Sequence, residues 1–168
     1  MESLLIALMC LQALGACLGA IAVVRGELAY VHASRDGAID DAEAAHLRHI
    51  AQGLRYGMSL ALISSLLLVV LAYFADARTQ PAFMSSYWTF ISISLLVTVD
   101  SWALSRKRVS FALGSAFLFA GWWFLVYLTF GLLPPLTFGA AAAVLVVVTT
   151  IFYALLSRTR LLRPRSIA

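Results

Sequence analysis

The chain has 168 residues, 62% of them hydrophobic and 12% charged, with a net charge of +4. Soluble domains carry about 25% charged residues, and the apolar residues here fall into segments of about 20, enough for a helix to cross the hydrocarbon core. A separate soluble domain is therefore excluded, and so is nucleic acid as the reason for the positive charge, because the cations cluster at span ends.

The composition implies an all-α integral membrane protein: one domain, 1–168, whose partner is the lipid bilayer. Five spans are expected, at about 4–24, 56–74, 83–104, 109–130 and 140–156, with an elbow over about 25–55. Met1-Glu2-Ser3 lacks the basic start of a signal peptide, so the first apolar run reads as a retained span. It carries Gly15-Ala16-Cys17-Leu18-Gly19. Small residues four apart let two helix backbones approach closely, either against another span of the chain or across a homodimer seam. Cys10 and Cys17 share this helix face, too far apart along it for a disulfide, and read as packing residues.

Helix is expected to continue past the membrane. Val24, Leu28, Val31 and Arg35 recur at helical spacing, and Gly37 suits a helix C-cap. Asp40 and Glu43 make a capping box that opens the next helix, where Leu47, Ile50 and Leu54 form one stripe. About ten residues on each side, at about 1.5 Å per residue, give a helical hairpin projecting by about 15 Å.

All three histidines lie on this hairpin. His32 precedes the elbow, and Glu43, His46 and His49 follow it at intervals of three. Imidazole with carboxylate suits a divalent transition metal, and Glu-x-x-His occurs in di-iron bundles. A capped, solvated helix face explains the same residues without metal. The elbow also matches part of an EF-hand loop through Asp36, Asp40 and Glu43. His32 stands where the first carboxylate belongs, which argues against calcium.

Span three is the most polar. Tyr87, Ser94, Thr98, Ser101 and Ser105 share one face, and Asp100 lies on another flank near the span's end. This pattern predicts a central helix or one lining a wet cavity. A carboxylate at that depth needs a partner or a proton. The simpler reading pairs Asp100 with Arg25 at the end of span one. The functional reading has Asp100 and Glu27 flanking a polar ion path lined by Ser94, Thr98 and Ser101, with Arg25 at its mouth. Span four carries Trp122 and Trp123 near its far end, where interfacial aromatics are expected. The Arg158–Arg165 tail reads as a topology anchor, with binding to anionic lipid as the other use.

With the N-terminus outside, eleven of the twelve cations fall on the inner side and only Arg78 lies outside. The positive-inside rule then places the C-terminus and the hairpin in the cytoplasm. No span contains histidine, which disfavours bis-histidine haem in the bilayer. No nucleophile–base pair, P-loop or dinucleotide fingerprint is present, so nothing argues for an enzyme.

The elbow RDGAIDDAEAAHLRHI and the later VDSWALSRKR and GSAFLFAGWW stretches resemble a group of small bacterial multi-span membrane proteins. In that group an Arg-Asp-Gly-x-Ile elbow joins the first two spans and a polar residue sits late in the third. The resemblance implies fold and carries no activity. The Ala-, Leu- and Arg-rich, Lys-poor composition fits a GC-rich bacterium, and hence the inner (plasma) membrane. Two functions are expected from the residues. One is a small transport or channel protein for a cation or proton, homo-oligomeric through Gly15 and Gly19. The other is an accessory, scaffold or metal-sensing protein acting through its hairpin.

Overall fold

The described chain is five helices: α1 (Glu2–Ala33), α2 (Asp41–Phe74), α3 (Ser85–Ser105), α4 (Phe111–Thr129) and α5 (Phe138–Leu161). The computed structural model describes residues 2–33, 41–75, 80–106, 108–134 and 136–161, and no strand occurs among them. Each helix is long and apolar enough to cross a membrane, as in a multi-pass membrane protein. The 32 residues of α1 and 34 of α2 correspond to about 48 and 51 Å at 1.5 Å per residue. A hydrocarbon core is about 30 Å thick, so both helices outrun it. No proline interrupts either helix, which is why the apolar stretch and the polar stretch beyond it form one rod.

Lipid tails are as apolar as leucine, so helices in a bilayer are held by close packing rather than by hydrophobic exclusion. The small residues show where that packing occurs. A Cβ on Gly15 would lie 2.7 Å from the Ala61 nitrogen and 2.8 Å from the Gly57 oxygen, and one on Gly57 would lie 2.9 Å from the Gly15 oxygen. Thus α1 and α2 run antiparallel with their backbones touching. Gly19 leaves room for the Trp122 ring, which would sit 2.0 Å from a Cβ there. Gly121 receives Val97 at 2.5 Å and Gly114 receives Leu104 at 2.9 Å, measured in the same way. The last two pairs set α4 antiparallel to α3, and Gly19–Trp122 with the Tyr30–Phe111 ring contact sets it antiparallel to α1. Phe119 meets Phe152 at a ring distance of 4.6 Å and joins α5 to α4.

The central helix is α4, with Gly114, Ser115, Ala116, Ala120, Gly121, Trp122 and Leu125 all buried. This corrects the expectation that the polar third span is central. A helix apolar all round and rich in small residues packs on every side, whereas α3 packs mainly against α4 and, among the described residues, its backbone does not come close to that of α1. Trp122 is also corrected: it is 1% exposed and fills the space over Gly19, while Trp123 remains 37% exposed. Phe83 does not open a span. Pro81–Phe83 form a 3-10 turn, and α3 starts at Ser85. The Gln80 side-chain amide donates to the Ala72 carbonyl at 3.3 Å, and the Trp88 indole N–H donates to the Ala82 carbonyl at 2.8 Å. These bonds tie the turn to α2 and α3. At the end of α4, Gly131 adopts φ +64°. The Leu132 N–H then donates to the Tyr127 carbonyl at 3.0 Å, the six-to-one bond of a Schellman cap.

Candidate functional site

Asp100 lies five residues before the end of α3, one turn from each of Val97 and Leu104, which meet α4. The residue is half-buried, and its Oδ2 is buried without a hydrogen-bond partner among the described residues. The predicted pair with Arg25 is not formed. Arg25 is exposed on α1, and α4 packs against both α1 and α3, whose backbones do not come close to each other among the described residues. The arginines beyond α3 are also engaged elsewhere, with Arg108 and Arg106 over the Trp102 ring at 5.2 and 5.8 Å. An oxygen atom in this position can accept a proton or ligate a cation, and leaving it with neither is costly.

The expected polar face divides. Ser94 is fully buried and its hydroxyl has no partner among the described residues. Thr98 and Ser101, four and seven residues nearer the elbow end, are exposed on the surface of the single chain. The Thr98 hydroxyl donates to the Ser94 carbonyl at 2.8 Å. Ser105 makes a similar local bond to the Trp102 carbonyl at 2.7 Å, and Thr89 to the Ser85 carbonyl at 2.9 Å. Such local bonds make hydroxyls tolerable in a bilayer, so these residues do not enclose a channel inside one chain.

Glu27 is placed in a cavity of about 190 Å³ at the elbow end of the bundle, together with Tyr30 of α1, Leu104 of α3, and Phe111, Ser115 and Leu118 of α4. Asp100 is one helical turn from Leu104 and does not line the cavity. The cavity was only partly legible in the sequence. Val23, Glu27 and Tyr30 recur at helical spacing, but nothing in the sequence brings Phe111 and Ser115 to them.

Comparison with protein-family models, curated proteins and solved structures gives no match to the chain.

Gly15 and Gly19 are both taken up inside the chain, by α2 and by Trp122, as the first of the two readings of this motif expects, and the surfaces at these two glycines are filled by the chain itself. The side chains of His32, Glu43, His46 and His49, the Gly37 cap and the Asp40–Glu43 capping box lie outside the described residues. Among the described residues no three of His, Cys, Asp and Glu gather as metal ligands.

Proposed function

We propose that the protein is a small transport or channel protein for a cation or proton, with Asp100 as its obligatory acidic group. One observation carries the reading: a carboxylate oxygen in a membrane-length helix is buried with no partner among the described residues. A structural acid at that depth would have an ion pair, since the uncompensated group destabilises the fold. Ser94, Thr98 and Ser101 extend the polar character along α3, and Glu27 supplies a second acid at the elbow end. Because Thr98 and Ser101 face outward, a path along α3 closes only against a second copy, which makes the transporter a homo-oligomer. The positive-inside count favours N-terminus out, C-terminus in, in a bacterial inner membrane.

The test is flux into proteoliposomes under an imposed proton, sodium or potassium gradient. Wild type is expected to carry one of these and Asp100→Asn to lose the flux while keeping its fold. Equal flux in both sinks the role of Asp100. The length of α1 and α2 beyond a bilayer core favours a second reading, in which the hairpin docks a partner or senses metal. A wild type silent in every gradient, whose hairpin binds zinc or manganese, would favour it.

A further inference from the structure

The turn that leaves α3 gathers positive charge around one exposed ring. Two backbone bonds close it: the Arg106 N–H donates to the Trp102 carbonyl at 3.1 Å and the Arg108 N–H to the Ala103 carbonyl at 2.9 Å. The turn brings both guanidiniums to the Trp102 ring, at 5.8 Å for Arg106 and 5.2 Å for Arg108. All three side chains are exposed. No Asp or Glu follows Asp100 in the sequence, and the buried Oδ2 of Asp100 has no partner among the described residues. Away from the turn, Val99 and Leu95 are exposed at helical spacing and continue the Trp102 face along α3.

We propose that this turn binds the phosphodiester of an anionic phospholipid, with an acyl chain lying along Trp102, Val99 and Leu95. An exposed tryptophan near the end of a membrane-length helix marks the headgroup level, which is where a lipid carries its phosphate. Guanidinium forks match phosphate oxygens through paired N–H donors. A phosphate between Arg106 and Arg108 neutralises two like charges that the ring attracts but does not cancel. A zwitterionic lipid brings an ammonium that the arginines repel, so the headgroup is one with net negative charge. Free phosphate has the same oxygens but gains nothing from Val99 and Leu95. Snorkelling to water would satisfy each arginine separately; it does not bring two of them to one ring. The site needs a bilayer and is independent of transport.

The test is tryptophan quenching of the full chain in phosphatidylcholine vesicles. A minor fraction of the lipid is acyl-brominated phosphatidylglycerol or, in parallel, acyl-brominated phosphatidylcholine. Wild type is expected to favour phosphatidylglycerol by about fivefold or more, one arginine's worth of attraction to anionic lipid. Trp102→Phe is expected to lose the excess quenching, because Trp88 lies at the other end of α3 and Trp122 and Trp123 lie about three turns into α4. Arg106→Gln with Arg108→Gln abolishes the preference, whereas Arg55→Gln, which removes an exposed charge from α2, leaves it in place. Melting curves establish that each variant folds; if the double variant does not, Arg108→Gln alone is expected to lower the preference and decides. Equal quenching by the two lipids, or an excess that survives Trp102→Phe or the arginine changes, overturns the site. So does an equal loss in Arg55→Gln, which would mean diffuse attraction to the surface. Inorganic phosphate at constant ionic strength leaves the preference unchanged, and its loss there would assign the turn to free phosphate and overturn the lipid.

Discussion

Replacing Gly57 by alanine tests the contact on which the α1–α2 pair is built. The new methyl would lie 2.9 Å from the Gly15 oxygen and 2.9 Å from the Gly19 nitrogen, both backbone atoms. No side chain can swing aside, so the two helices must separate by about 0.5 Å to restore ordinary contact; a gap of that size forfeits about a quarter of the dispersion energy of each atom pair. Overpacking of this kind costs about 1–3 kcal/mol. Alanine's better helix propensity returns up to about 1 kcal/mol. The expected net loss is about 1–2 kcal/mol, because packing is the main force holding helices together in lipid. Gly139→Ala is the matched control, since nothing lies within 4 Å of a Cβ there, and it is expected to be neutral or slightly stabilising. Unfolding in mixed micelles, followed by tryptophan fluorescence, measures both. Equal stability of Gly57→Ala and Gly139→Ala would rule out a close backbone contact at Gly57. Gly15→Ala combined with Gly57→Ala should be less than additive, since either change alone opens the same contact.

Three further outcomes follow from the packing. Asp100→Leu should stabilise the protein by about 1–3 kcal/mol by removing an unpartnered buried oxygen, at the expense of flux; a loss of stability in the same unfolding assay would point to a structural carboxylate. Trp122→Ala should destabilise by about 3 kcal/mol, the low end for large-to-small changes, because lipid takes over the transfer part; a loss below that of Gly57→Ala would contradict the seat over Gly19. Gly131→Ala should lose about 1–2 kcal/mol to its left-handed conformation, and Gly131→Asn visibly less, as read from thermal melts.

Local chemistry made the five helices legible. Runs of about 20 apolar residues fix spans by length, and the absence of proline from Arg25 to Ala33 carries α1 past the bilayer. What stayed hidden depends on pairs of distant residues. Trp122 sits near a helix end and looks interfacial until Gly19 of α1 is set against it. Phe83 reads as span, but Pro81 two residues earlier favours a tight turn, and the tie from Gln80 to Ala72 is a tertiary bond. Asp100 and Arg25 match in depth along the membrane normal. Sequence gives that coordinate and says nothing of lateral position, in which the described backbones of α1 and α3 stay apart. The third span's hydroxyls suggested an interior lining because polarity in lipid signals burial. Thr98 instead satisfies itself on the backbone of its own helix, which leaves its outer surface free to face lipid or another copy. Glu27 was legible as a membrane-edge acid, but its aromatic neighbour Phe111 comes from the start of α4, far along the chain.

The proposed transport role requires the Asp100 carboxyl itself to take up and release the proton or cation. Infrared difference spectroscopy on reconstituted protein, recorded between low and high concentrations of the transported ion, observes that group directly. A carboxyl band that changes with the ion in wild type and vanishes in Asp100→Asn is the predicted result. An unchanged carboxyl region in wild type, or the same band persisting in Asp100→Asn, would contradict the account.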